Sequence, residues 1–218
     1  MEGARSVSDA SRKSKAEARC EAQRERILRA ARHCFVESGF HAANMASIAE
    51  TAGVSAGLIY RYFESKNAII LAIIERHLAD VQSDIRQLQQ VSEAVANRIV
   101  ERFRDWRRRE CEMRSPGLFL EIAALAHRDP QVAEALRTAD RRIRAEIGAW
   151  LVRAWEKNAG CGLADAEIRE RVFVLQCFFE GLMVRAIKQP DSEEMIKGGL
   201  RPLLAYLFPD GGERDRPD

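Results

Sequence analysis

Residues 44–63 read NMASIAETAGVSAGLIYRYF, and the spacing within this stretch decides the fold. Asn44 is a helix-capping residue ahead of a short helix over 45–52. Ala49 is small, as a position must be where two helices cross at close range. Gly53, four residues later, suits the left-handed backbone that a tight turn between helices needs. Ser55 then caps a second helix over about 55–62. Ile48, Ala52, Val54, Ile59 and Tyr62 fall where they pack the two helices on each other and on a preceding helix. A helix-turn-helix of this kind points the N-terminal end of its second helix outward, where it fits a DNA major groove about 12 Å wide. An ordinary helical hairpin uses similar Ala-Gly turns, so the stretch alone leaves that reading open beside DNA binding.

Upstream, Ile27, Ala31, Cys34 and Phe35 recur at helical spacing and predict a helix over 21–38 that stops at Gly39. Residues 1–20 carry no apolar period and read as a mobile arm with a basic centre at Arg12, Lys13 and Lys15. Downstream, Ser65 caps a long helix striped by Ile70, Ile74, Leu78, Val81, Ile85 and Leu88. Further helices are expected at 92–112, 117–127, 130–157, 165–188 and 192–207, with a loop at 158–163 and a disordered tail over 209–218. Pro116 and Pro130 stand where helices begin, and Pro190 where one has ended. The expected organisation is all-α: the arm at 1–20, a three-helix DNA-binding head at 21–66 and a helical body at 67–208.

Composition agrees with that class. The 218 residues include 32 alanines but two threonines, and no proline precedes Pro116, which favours helix over sheet. The formal net charge of +2 divides unevenly: residues 1–76 hold 12 Lys/Arg against 9 Asp/Glu, and the remainder 23 against 24. Five separated cysteines make no metal-binding or disulfide pattern, so a reducing, cytoplasmic setting with no metal and no cofactor is expected. The polar start suggests no signal peptide, and no apolar run reaches the roughly 20 residues of a membrane span. No catalytic constellation stands out, which leaves a small helical enzyme as the weakest reading.

The stretch Arg26–Ile74 resembles the DNA-binding head of the TetR family of bacterial transcriptional regulators. The resemblance rests on ILRAARHCFVESGF (27–40), SIAETAGVSAGLIYRYF (47–63) and ESKNAII (64–70). It implies that Ser55, Gly57, Tyr60 and Arg61 lie on the exposed face of the recognition helix, with Arg61 reading a base edge. It also implies that Tyr62 and Lys66 hold phosphates, and that Asn44 and Ser47 make further backbone contacts. Ala56 stands on the same face where the family often has Lys, and Leu58 where it often has Thr or Ser. One phosphate contact is therefore in doubt, and Leu58 is a candidate for a thymine methyl. The arm is a candidate to offset the loss, with a solvated tail as the alternative.

The resemblance further implies a homodimer on palindromic double-stranded DNA and a body that binds a small-molecule effector. Residues 172–184, VFVLQCFFEGLMV, are apolar nearly all round the helix. Leu175, Phe178, Gly181 and Leu182, with Leu200, Leu203, Leu204 and Leu207 of the last helix, are the candidate dimer surface. A central core helix in a monomer is the alternative. Candidate effector contacts are Phe103, Trp106, Phe119, Ile122, Ile147, Trp150, Trp155, Gln176 and Phe179, although aromatic residues at helical spacing commonly serve plain core. Arg107, Arg108 and Arg109 read as a solvated face, and His77 and His127 as structural. The expected function is a ligand-responsive regulator, most often a repressor in such a family. The alternative is an effector-independent architectural or recruitment protein using the same head.

Overall fold

A computed structural model describes residues 3–87, 100–101, 104, 115–159, 162–188 and 193–207. Among them the elements are helices: α1 (Gly3–Ala42), α2 (Met45–Ala52), α3 (Ala56–Tyr62), α4 (Lys66–Gln87), α5 (Pro116–Ala126), α6 (Pro130–Ala159), α7 (Asp165–Lys188) and α8 (Glu193–Leu207). The expected helix over 92–112 and the tail lie outside the described residues, apart from helical backbone at 100, 101 and 104.

One boundary departs from expectation. Helix α1 begins at Gly3 instead of near residue 21, so residues 3–20 are helical. Between Gly3 and Gly39 the segment contains neither glycine nor proline, and it is rich in Ala, Arg, Lys and Glu. Those residues sustain a helix by propensity without an apolar stripe, and absence of a stripe removed only the tertiary signal. At Gly39 the backbone leaves the helical region (φ 76°, ψ 158°) before a last turn to Ala42.

The head is assembled around Ile27, Leu28, Ala31 and Phe35 of α1, Ile48, Ala49 and Ala52 of α2, and Ile59 of α3, with Phe63 and the apolar face of α4 closing the cluster. Beneath it Arg32 is 1% exposed. Its Nη1 donates to Glu25 Oε1 at 3.2 Å. Burial lowers the pKa of this guanidinium, and Glu25 offsets the loss. Arg76 of α4 reaches Glu25 at 4.0 Å and Asp80 at 3.5 Å, so the buried charge belongs to a chain of alternating ions between α1 and α4.

Among the described residues, polar ties join α1 to α5 and the start of α4 to α6. Glu121 of α5 accepts from the backbone N–H of Phe40 at 3.1 Å, beside the Gly39 bend. Asn67 of α4 donates to Asp129 Oδ2 at 2.7 Å, and Asp129 Oδ1 caps α6 by accepting from the N–H groups of Gln131 and Val132. These donors hold the Asp129 carboxyl below its usual range, the Val132 N–H most of all.

The body has its own apolar cluster, in which Ile85, Ile147, Trp150, Leu151, Val172, Leu175 and Leu182 meet Ile196, Leu200, Leu203 and Leu207. Helix α8 is fastened to it by a stacked clasp. The Arg171 guanidinium lies 5.0 Å from the Trp155 ring and 4.9 Å from the Tyr206 ring. Trp155 Nε1 donates to the Leu207 carbonyl at 2.7 Å, and Arg171 Nε to that of Tyr206 at 3.2 Å. Trp155 is thereby part of the α8 anchor and does not line the cavity described below, contrary to its place among the effector candidates.

Candidate functional site

The turn between α2 and α3 is built from capping interactions. Asn44 Oδ1 accepts from Ser47 N–H at 2.9 Å while Ser47 Oγ accepts from Asn44 N–H at 3.0 Å, a reciprocal capping box. Gly53 takes φ 61°, ψ 40°, and its N–H closes α2 on Ala49 and Glu50. Arg26 Nη2 donates to the Gly53 carbonyl at 3.3 Å, and a Cβ added at Gly53 would stand 2.6 Å from that nitrogen. The position thus disfavours a side chain by its backbone region, and an added Cβ would also displace the Arg26 guanidinium. Ser55 Oγ accepts from Leu58 N–H at 3.2 Å and opens α3.

Helix α3 buries Ile59 completely and turns Ser55, Ala56, Gly57, Tyr60 and Arg61 to solvent. Tyr60 is 57% exposed, unusual for a large ring. Nothing lies within 4 Å of a Cβ built on Gly57. Leu58 is half-buried, so only part of it faces outward. Asn44 is exposed at the start of α2 and Ser47 half-buried. The expected DNA-facing residues from Ser55 to Arg61 therefore share one surface.

The two expected phosphate contacts sit differently. Tyr62 is half-buried, and the neighbouring Cys20 thiol of α1, with some burial, pushes the phenol above its usual range. Lys66 is withdrawn from the surface role that the resemblance implies. Its Nζ donates to the carbonyls of Phe40, Ala43 (2.7 Å) and His41 (3.4 Å), and stands 4.3 Å from the Phe40 ring centre. Three N–H donors meet three carbonyls at the end of α1, which leaves no donor for a phosphate. Partial burial lowers its pKa.

Between α4, α5, α6 and α7 lies a cavity of about 710 Å³. Its walls include Phe119, Ile122, Ile147, Trp150, Gln176 and Phe179, so every described effector candidate of the block from 119 to 179 except Trp155 faces one space; Phe103 and Trp106 lie outside the described residues. Of the polar lining, sequence reasoning named Gln176 as a ligand contact and missed Asp84, Ser115, Arg137, Asp140, Arg144 and Glu180. His77 and His127, read as structural, both line the cavity. A signal was available in the register. Asp140, Ile143, Arg144 and Ile147 share one face of α6, and Gln176, Phe179, Glu180 and Met183 one face of α7. Gln176 Nε2 donates to Asp140 Oδ1 at 2.7 Å, and Arg144 pairs with the other oxygen of Asp140. Among the described residues no group of three metal-ligating side chains comes together.

Most of the expected dimer residues face inward. Leu175, Leu182, Leu200, Leu203 and Leu207 are buried against one another within the chain, and Phe178 and Leu204 are half-buried at the edge of that cluster. Gly181 is exposed, with nothing within 4 Å of a Cβ built there. The outward apolar surface belongs instead to Phe173, Val174 and Ile187 of α7 and to Met195 and Tyr206 of α8. The all-round apolar pattern of 172–184 concealed which side was which.

Comparison with known proteins agrees with this geometry. Residues 27–73 match the model of the bacterial regulatory proteins of the tetR family. The chain is 35% identical over 120 residues to the transcriptional activator FasR of Mycolicibacterium smegmatis, which covers 54% of this chain and 53% of FasR. It therefore spans about half the length of that relative. It is 34% identical over 153 residues to the transcriptional regulator BetI of Cronobacter sakazakii, covering 66% of this chain and 74% of BetI. The solved structure of Salmonella enterica GusR superposes with TM-score 0.69 at 31% identity, over 86% of this chain and 95% of that one. These relatives are regulators and not enzymes, and no helix among the described residues is long and apolar enough to cross a membrane. With its helix-turn-helix, its helical body and these likenesses, the chain belongs to the TetR family of helix-turn-helix transcriptional regulators.

Proposed function

We propose that the protein is a ligand-responsive repressor that binds a palindromic operator as a homodimer and is released by a small-molecule effector. The observation that carries this reading is the cavity of about 710 Å³, open on one side and lined by helices that also hold the head. Helix α5 places Leu118, Phe119 and Ile122 on the cavity wall, while Glu121 holds the Phe40 N–H of α1. Helix α4 lines the cavity with Ile73, Ile74 and His77, and its first turn carries Lys66 and Asn67, which meet α1 and α6. An effector that favours one arrangement of α4 and α5 shifts the heads by its differential affinity for the two states. An architectural protein without effector has no use for such a volume, and a filled body would favour that alternative.

Ser55, Ala56, Gly57, Tyr60 and Arg61 form the DNA-reading surface in this proposal, with Arg61 on a guanine edge and Asn44, Ser47 and Tyr62 near phosphates. The α1 extension carries Lys15 at an exposed position. The second copy covers the outward face of α7 and α8, where Gly181, Gly198 and Gly199 allow close helix approach beside Phe173 and Met195. Selection of bound sequences from random duplexes, followed by fluorescence anisotropy, tests the reading. A salt-dependent, two-fold symmetric site is expected, and its reporter should rise when the chain is deleted. Sequence-independent binding, or a reporter that falls on deletion, overturns the DNA-reading or the repressor part respectively.

A further inference from the structure

Most cations of the head are engaged within the protein. Between Asn44 and Phe63, Arg61 is the one Lys or Arg, and Glu50 stands in the same stretch. Arg26 holds the Gly53 carbonyl, Lys66 the carbonyls at the end of α1, and Arg32 and Arg76 share Glu25. The Arg24 guanidinium lies 5.4 Å from the Phe63 ring centre. Arg29 is exposed, but nine positions beyond Cys20 it falls on the opposite side of α1. A second group of cations stands on the extension of α1. Residues 12–19 read RKSKAEAR and hold four cations against Glu17, with Asp9 before them and Glu21 after. Helix α1 runs without a break from Gly3 to the Gly39 bend, so this group has a fixed place relative to α3. Cys20 neighbours Tyr62, and Arg24 meets Phe63, which puts this part of α1 against the end of α3. Seven positions before Cys20, Lys13 returns to the same side of the helix, with Arg12 next to it. A rise of about 1.5 Å per residue keeps 12–19 within about 12 Å of Cys20 along the axis. Lys15 and Arg19 are exposed, and neither pairs with an acidic side chain among the described residues.

Duplex DNA carries one negative charge per about 1.7 Å of its axis, and affinity follows the number of phosphates a protein neutralises. One guanidinium on α2 and α3 leaves most of that attraction to cations elsewhere, and those beside the end of α3 stand on the extension of α1. We propose that this extension is a clamp on the DNA backbone, in which Arg12, Lys13, Lys15 and Arg19 neutralise phosphates flanking the base pairs that α3 reads. Phosphates carry no sequence information, so the clamp acts on affinity for all sequences alike and not on the choice of bases. The assignment rests on the reading of α3 as the DNA-reading helix.

Fluorescence anisotropy with the full chain tests the clamp, on a duplex that carries the selected site and one helical turn (about 10 base pairs) of further DNA on each side. Arg12→Gln, Lys13→Gln, Lys15→Gln and Arg19→Gln together keep helix-forming residues in α1. They should lower affinity at least about tenfold and reduce the slope of log affinity on log salt by about two to four per chain. Lys15→Gln with Arg19→Gln alone should give about half that change in slope. The bases selected from random duplexes should stay the same, and a duplex cut at the edges of the site should bind wild type and fourfold variant alike. Arg128→Gln, Arg142→Gln, Arg153→Gln and Arg169→Gln remove the same charge from exposed positions of the body and should keep the wild-type slope. An unchanged slope in both arm variants, an equal loss in the body variant, or an altered choice of bases overturns the clamp and spares the DNA-reading helix. A wild-type chain that binds no duplex overturns both.

Discussion

Lys66 carries two incompatible roles, and measurement separates them. As a phosphate ligand it would contribute one counterion to the salt dependence of operator binding. As the structure has it, its ammonium closes the end of α1 through the carbonyls of Phe40, His41 and Ala43. Lys66→Met should therefore lower unfolding free energy by about 1–3 kcal/mol, because carbonyls lose a charged donor, while the slope of log affinity on log salt stays the same. Loss of a phosphate contact would instead reduce that slope by about one. The sequence showed a cation at the start of a helix, beside the DNA-reading element; which carbonyls it faces depends on the Gly39 bend and was not legible. The glycines of the same region were legible unequally. Gly53→Ala meets both a left-handed backbone and the Arg26 guanidinium, and should cost about 1–2 kcal/mol or more in urea unfolding. Gly57 lies within α3 with open space about it. Gly57→Ala should raise stability by up to about 1 kcal/mol and still weaken operator binding by anisotropy. A wild-type affinity in that variant would remove Gly57 from the DNA-reading surface.

At the scale of elements, boundaries set by caps were read well and partitions of apolar surface poorly. Asn44, Ser55, Ser65 and Pro116 each mark a helix start because a side-chain oxygen or a missing N–H acts locally. The start of α1 had no such mark, since propensity alone extends it to Gly3. The leucines of α7 and α8 posed the opposite problem. Leu175, Leu182, Leu200, Leu203 and Leu207 are chemically fit for a partner surface, and only the packing of α8 assigns them to the chain's own core. That packing hangs on Arg171, between Trp155 and Tyr206. Its side chain is 11% exposed, and each ring contact is worth roughly 0.5–2 kcal/mol. Arg171→Ala is expected to lower the melting temperature and to free α8 selectively, seen as faster amide exchange over Met195–Leu207 than over α2 and α3. Arg171→Lys should recover little, because a point charge lacks the planar face that lies between two rings. Equal exchange in α8 of wild type and variant would place the anchor elsewhere.

For the whole molecule, the cavity was foreseen as a set of inward aromatic residues, and its charge was not, because acidic residues on a helix face read as solvated unless the facing helix is known. The sequence placed a partner surface on the leucines of α7 and α8, and most of those leucines are buried within the chain. Phe173 is 61% and Met195 67% exposed, and neither belongs to the body's apolar cluster. A monomer would leave them in water beside Val174, Ile187 and Tyr206, a patch of the kind that marks a partner surface. In the proposed function two-fold pairing decides affinity, since one head would hold a single half-site and linkage of two multiplies affinity by about 10²–10⁴. The paired change Phe173→Asp and Met195→Asp places charges on that face without touching the core. Circular dichroism and the urea midpoint of the monomer should therefore persist, while sedimentation velocity should report one chain per particle at micromolar concentration. Operator affinity should drop by about two orders of magnitude or more, to the level of a single half-site duplex. A variant that still sediments as a dimer would move the interface off the outward face of α7 and α8. One that becomes a monomer yet keeps full operator affinity would break the link between two-fold symmetry and DNA reading.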